Sequence, residues 1–174
     1  MSIRKTPWRW IFLGTVILWM GFIFWMSALP AMESQDCSDA LTLFFQRLFF
    51  PKWENLPEKE YLEALGHLAF FIRKAAHFTE FALLGIFLSL FFTTFAIQFN
   101  RRFLFSLLIG VLYAAGDEIH QLFVENRDGT VFDVFVDSAG ILLGCLLISG
   151  ILAMVFSDRN LKSGKAPSIT TNRK

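Results

Sequence analysis

Uncharged apolar residues fall into four long runs along the chain, with the charges gathered between them. Trp10 to Leu29 is 20 residues without a charge, enough to cross a hydrocarbon core of ~30 Å at ~1.5 Å per residue. Phe81 to Phe99 is a second run of 19 residues. Phe103 to Gly116 is only 14 residues. It reaches spanning length by continuing through Ile119, His120, Gln121, Leu122 and Phe123. Ser138 to Ser157 is a fourth run, again of 20 residues. With their polar lead-ins, the expected spans are about 10–29, 78–99, 103–123 and 136–157. This pattern predicts an all-α membrane protein built as a four-transmembrane-helix bundle.

The stretch between the first two spans is too long for a turn. Ala40 to Phe50 is strongly apolar with one arginine, Arg47. It reads either as an interfacial or re-entrant helix or as an ordinary helix packed in a loop. Pro51 and Pro57 then break the chain. From Glu58 to Arg73, Leu62, Leu65, Leu68, Ala69 and Ile72 recur at helical spacings, so this piece can run straight into the second span. One or two interfacial or re-entrant helices are therefore expected in this loop. Residues 1–157 form one membrane domain. From Asp158 the chain turns polar, with Gly164, Pro167 and several serines and threonines, and a disordered tail is expected. No internal repeat is visible.

Composition agrees with the pattern. The chain is 55% hydrophobic and 18% charged, with 22 phenylalanines, against ~45–50% and ~25% in soluble domains. A soluble domain of this length would need more polar surface than the chain has. Trp10–Leu29 has the basic start of a signal peptide, but it exceeds the usual ~7–15-residue apolar region and lacks a small-x-small cleavage site. It reads as an uncleaved anchor. The two cysteines, Cys37 and Cys145, lie in a polar loop and an apolar run, so no bridge is expected. There is no C-x-x-C pair. Trp19, Trp25, Phe70–Phe71 and Phe91–Phe92 read as lipid-facing and interfacial side chains.

Charge distribution adds an orientation. The N-terminus, the Asn100–Arg102 connection and the tail hold ten basic residues against one acid, Asp158. Everything else holds six basic residues against fourteen acids, and the whole chain has a net charge of +1. The positive-inside rule places the basic side, with both termini, in the cytoplasm. The loops 30–74 and 124–132 then face outward. A group of ionisable residues falls at the outer boundary: Arg73, Lys74, His77 and Glu80 before the second span, Asp117, Glu118 and His120, with the neutral Gln121, at the end of the third, Arg127 in the loop, and Asp133 and Asp137 before the fourth.

Helical spacing puts these residues on shared faces. His77 and Glu80 are i,i+3, as are Asp117 and His120, while Asp117 and Gln121 are i,i+4. Asp133, Asp137, Gly140 and Gly144 form one stripe, and Gly140-x-x-x-Gly144 lets two helices approach closely. Acids at helix N-termini complement the macrodipole, which accounts for Glu80, Asp133 and Asp137 as structural residues. Asp117 and Glu118 stand at a C-terminal end, where the dipole disfavours them. They are expected to pair with Arg127, Arg73, Lys74 or a histidine, or to bind a cation. Ionisable residues inside membranes are functional candidates by default.

Three chemistries suit these residue types. The histidines and carboxylates could hold a divalent metal, although no H-E-x-x-H or similarly tight ligand spacing occurs. Glu118 with His77 or His120 could be general acid and base on a lipid-linked substrate. Arg73, Lys74 and Arg127 could clamp a phosphate or carboxylate of an amphiphile, oriented by the acids. Ser27, Ser38 and Ser138 have no nucleophile context, and Cys145 reads as packing. A purely structural role, with Gly140 and Gly144 mediating helix or subunit contacts in an oligomer, is the remaining class. Four spans with charges at one level fit a transporter poorly. Nothing suggests nucleic acid, and no cofactor follows from the sequence.

The order of these motifs resembles the VanZ-like family of small bacterial membrane proteins. The pieces that carry the resemblance are Arg73-Lys74-x-x-His77-Phe78-x-Glu80-Phe81, Asp117-Glu118-x-His120-Gln121-x-Phe123, Arg127, Asp133 and Asp137-Ser138-x-Gly140-x-x-x-Gly144. They cover roughly residues 70–150, together with the N-terminal span. Asp137 stands where the family pattern has asparagine, and the loop 125–129 lacks the proline–glycine flavour of the family. The resemblance implies a bacterial plasma-membrane protein and, through the family's namesake, an association with resistance to a lipoglycopeptide antibiotic. It brings no settled enzymatic activity. The expected ligands are membrane lipids, a lipid-linked cell-wall precursor or a lipoglycopeptide. The residues expected to meet them are Arg73, Lys74, His77, Glu80, Asp117, Glu118, Gln121, Arg127, Asp133 and Asp137. In the enzyme alternative, Glu118, His77 and His120 are catalytic.

Overall fold

The structure is a computed structural model describing residues 6–29, 31–125, 127 and 129–162. Five α-helices carry the described chain: α1 (Thr6–Ala28), α2 (Ala31–Phe49), α3 (Glu58–Thr93), α4 (Phe99–Gln121) and α5 (Val131–Lys162). A short 3-10 helix, Pro51–Asn55, joins α2 to α3. Among the described residues there is no strand, and α1, α3, α4 and α5 are long and apolar enough to cross a membrane.

The second span is longer and ends earlier than the charge pattern predicts. Glu58 to Thr93 is one continuous helix of 36 residues, ~54 Å at ~1.5 Å per residue. It therefore exceeds a ~30 Å hydrocarbon core by a wide margin. The apolar run to Phe99 hides a turn at residues 94–98. The Thr93 and Thr94 hydroxyls donate to the carbonyls of Leu90 and Phe91 at 2.6 and 2.7 Å, competing with the helical ladder. Arg102 Nε donates to the Ile97 carbonyl at 2.9 Å and holds the start of α4, four residues earlier than expected. At the other extreme α5 continues to Lys162. The rest of the expected disordered tail lies outside the described residues, as do Arg4 and Lys5.

α2 begins at Ala31, well before the apolar run that announces it. It packs on the N-terminal half of α3, near Leu65, Gly66 and Ala69. Its facing side is polar: Thr42 and Gln46 are buried, while Leu41, Phe44, Leu48 and Phe49 are exposed. Gln46 Nε2 donates to the Phe50 carbonyl at 3.1 Å and closes the helix end.

The core joins all four spans. Val16 and Ile23 of α1, Phe81, Leu84 and Leu88 of α3, Ala114 of α4, and Ile141 and Cys145 of α5 pack together. The closest approach is α3 against α5. A Cβ on Gly140 would strike the Phe78 carbonyl oxygen, and one on Gly144 would strike that of Ala82 and lie 2.9 Å from the Ile86 amide. Gly85 of α3 answers from the other side, where a Cβ would strike the Ile141 carbonyl oxygen. On α4, a Cβ at Gly110 would come within 2.6 Å of Ile141 Cγ2. Small residues at these crossings let the backbones touch, and in hydrocarbon such van der Waals contact is what drives helix association.

Candidate functional site

The end of the bundle closed by the α4–α5 connection gathers polar groups from four helices. Ser27 is the last buried polar residue of α1, and its hydroxyl donates to Asp117 Oδ2 at 2.7 Å. Gln121, one turn further along α4, donates to the same oxygen at 3.1 Å. Asp117 is thus held by neutral donors and not by a cation, contrary to the pairing its position suggested. Glu118 points to the connecting loop, where its Oε2 accepts the Thr130 backbone N–H at 2.9 Å. Gly129 makes this approach feasible, because a Cβ there would strike the Glu118 carbonyl oxygen.

Thr130 also starts α5. Its hydroxyl accepts the Asp133 N–H at 3.2 Å and donates to Asp133 Oδ2 at 3.0 Å. This is half of a capping box; the return bond to the Thr130 N–H comes from Glu118 instead. Asp133 Oδ1 is therefore available to Lys74 of α3, and the two form the ion pair that ties α3 to α5. One turn along each helix, His77 Nδ1 faces Asp137 Oδ1 at 3.9 Å, beyond hydrogen-bond reach.

Arg127 reaches across to α1 and donates to the Met26 carbonyl at 3.3 Å. Partial burial pushes its guanidinium below its ordinary range, with Arg73 adding to the fall, while Asp117, Glu118 and Glu80 oppose it. Arginine remains charged throughout. Arg73 makes no hydrogen bond or ion pair among the described residues. His120 turns to α1 and packs on Phe24, with 4.4 Å between ring centroids.

The bundle end therefore brings together Lys74, His77, Asp117, Glu118, Gln121, Arg127, Asp133 and Asp137. Ser27 and Thr130 complete it. Neither was singled out from the sequence, although Thr130-x-x-Asp133 before an apolar run is a helix-start signal. Among the described residues, four carboxylate oxygens have no hydrogen-bond donor: Asp117 Oδ1, Glu118 Oε1 and both oxygens of Asp137. His77 Nδ1 and His120 Nδ1 are likewise buried without a partner. Asp137 is 0% exposed. Among the described residues, no three His, Cys, Asp or Glu side chains converge as metal ligands.

Glu80 stands apart from this network, in the wall of a neighbouring cavity. Helices α1, α2 and α3 enclose about 670 Å³ there, lined almost entirely by apolar side chains such as Phe22, Phe45, Phe71 and Leu83. Trp19 belongs to this wall and to the protein interior, not to the lipid. Its indole N–H donates to the Glu80 carbonyl at 2.9 Å, and its ring meets Phe87 edge-on at 5.6 Å. Trp25 remains exposed.

Among family models, VanZ/LLP1 matches residues 12–155. No curated protein and no solved structure gives a significant match.

Proposed function

Because the chain belongs to the VanZ/LLP1 family of membrane proteins, we propose that its polar bundle end binds an amphiphilic or anionic ligand of the cell envelope at the outer leaflet. Lipid-linked wall precursors and lipoglycopeptides are the ligand types that suit this position. One observation carries the reading: four buried carboxylate oxygens, on Asp117, Glu118 and Asp137, find no donor among the described residues. Burying a polar group without a partner destabilises a fold. A sequence that only needed to pack would put apolar residues there, so the cost points to a ligand-facing role. Those oxygens call for donors on the ligand, while Arg73, which has no partner among the described residues, and Arg127 are there for its anionic group.

The test separates charge from architecture. In Glu118→Gln the side-chain carbonyl still accepts the Thr130 N–H, and only the charge goes. In Arg127→Ala the link to Met26 also goes. In cells whose lipoglycopeptide susceptibility depends on this protein, both variants should restore sensitivity several-fold, and Glu118→Gln should do so at an unchanged protein level. Unchanged susceptibility at normal abundance would sink the proposal.

The outward placement has its own test, motivated by the separation of ten basic residues from fourteen acids. In a background without Cys37 and Cys145, a cysteine at Lys52 should react with a membrane-impermeant maleimide in intact cells. A cysteine at Arg101 should react only after permeabilisation. The reverse pattern would invert the topology and move the site to the cytoplasmic leaflet.

An acid–base reading starts from one feature, His77 Nδ1 facing Asp137 Oδ1 across 3.9 Å, a gap that has to close before Asp137 can hydrogen-bond the ring. Here Asp137 would orient His77 as the base on a lipid-linked substrate. Release of a hydrolysed product from a radiolabelled lipid-linked precursor, lost in His77→Gln, distinguishes this reading from binding alone.

A further inference from the structure

The groove enclosed by α1, α2 and α3 has an unusual wall. Its volume of about 670 Å³ lies within the ~300–1,000 Å³ range of small-molecule sites. Among the described residues its lining is apolar except for Thr79 and Glu80, and Glu80 is the only ionisable one. The Glu80 carboxylate makes no hydrogen bond or ion pair among the described residues. On α3, Arg73 precedes Glu80 by two helical turns, so Glu80 stands on the side of the groove next to the polar cluster. The same stretch of α3 serves both sides: Ile72, Ala76 and Thr79 face the groove, while Lys74 and His77 face α5.

These features constrain the occupant. Helices α1 and α3 are spans, so the groove opens onto hydrocarbon, and its walls suit a hydrocarbon chain. An unpartnered carboxylate in an apolar wall is costly and calls for a donor, best a cationic one. The guanidinium of Arg73, also without a partner among the described residues and two turns before Glu80 on the same helix, calls for an anion. A chain with an ammonium and a phosphate at its head meets all three demands. A purely anionic head would bring a second negative charge towards Glu80.

We propose that this groove holds an acyl chain of a zwitterionic aminophospholipid-type amphiphile, its ammonium at Glu80 and its phosphate towards Arg73 and Arg127. This names a ligand class for the site proposed above and rests on that reading for the headgroup half alone.

The test uses the full-length protein in vesicles of phosphatidylethanolamine and phosphatidylglycerol. Either lipid is doped in turn with an analogue bearing a diazirine in its acyl chain, and cross-linked residues are mapped by mass spectrometry. The ethanolamine probe should label the groove wall, at Phe45, Phe71 and Leu83, several-fold more densely than the outer faces of α4 and α5, for example at Leu108 and Leu143. Ala76→Trp, at an exposed position of the wall, should fill the groove and remove that excess, while Leu108→Trp should leave it. Glu80→Gln should erase the preference for the ethanolamine over the glycerol probe while the groove stays labelled. Labelling of the wall no denser than on the outer faces overturns the groove as a binding site. Dense labelling that ignores both the headgroup and Glu80→Gln overturns the ammonium assignment. Either result leaves the Glu118→Gln susceptibility test standing, so the two readings fail separately.

Discussion

Gly144→Leu should prevent the bundle from assembling. A Cβ at this position strikes the Ala82 carbonyl oxygen and lies 2.9 Å from the Ile86 amide. Both are backbone atoms, so no rotamer change relieves the clash, and α5 must move off α3. Overpacking of a core costs ~1–3 kcal/mol where side chains can adjust. Here backbone must shift, so a loss at or above the upper end, ~3 kcal/mol, is expected. The displacement would also part Lys74 from Asp133 and open the polar end. Gly140→Leu should behave alike, because its Cβ would strike the Phe78 carbonyl oxygen. Gly150→Ala lies on the same helix with nothing within 4 Å and should be neutral. Size-exclusion profiles and thermal stability of the three variants in one detergent check this. A folded, monodisperse Gly144→Leu protein would show that α3 and α5 do not touch as described.

Asp137→Leu should act in the opposite direction on stability and abolish function. The side chain is fully buried and both its oxygens lack a donor. Its nearest ionisable neighbour, His77, stands at 3.9 Å, beyond hydrogen-bond reach. Leucine keeps the branched skeleton and removes the unpaired polar atoms together with their desolvation cost, and the gain should be ~1–2 kcal/mol. For a chain of this size that corresponds to a rise in Tm of roughly 2–8 °C. If the carboxylate faces the ligand, the lipoglycopeptide phenotype should disappear in the same variant. Gain of stability with loss of function is the signature of a residue kept for its chemistry. A destabilised Asp137→Leu protein would mean that the carboxyl group has a structural partner, and the site reading would lose its main support.

The spans were legible because a bilayer demands long uncharged runs, and the chain supplies four. Their ends were less legible. Residues 94–98 contain no glycine, proline or charge, so nothing in their hydropathy marks the turn between α3 and α4. Two threonine hydroxyls and Arg102 make it, and such bonds follow from geometry rather than pattern. The start of α2 at Ala31 was hidden for a related reason: the helix buries Thr42 and Gln46 while leaving Phe44 and Leu48 exposed, the reverse of the arrangement that sequence periodicity assumes.

In the polar cluster, Asp133, Asp137, Gly140 and Gly144 could be aligned from spacing alone, because a helix fixes which residues share a face. Partners across helices could not. Ser27 reaches Asp117 over 90 positions in the chain, and no local pattern connects them. Gly85 and Gly110 are isolated glycines, unremarkable until Ile141 is seen against each. Trp19 was read as lipid-facing from its type, yet α2 and Glu80 give it an interior place. The apolar groove exists only because α2 folds back on α3, so it was invisible in the spans themselves.

The unbroken length of α3 has a consequence for how the site meets its surroundings. Lys74 and Thr93 stand ~29 Å apart along the helix at ~1.5 Å per residue, close to the thickness of a typical hydrocarbon slab. The helix is thus a fixed ruler between the turn at one membrane face and the charged cluster near the other. A thicker bilayer draws Lys74 and His77 into hydrocarbon, and a thinner one leaves them among headgroups and water. Because α3 cannot shorten, the hydration of the cluster is set by the lipids around it, and membrane thickness becomes a variable of its chemistry.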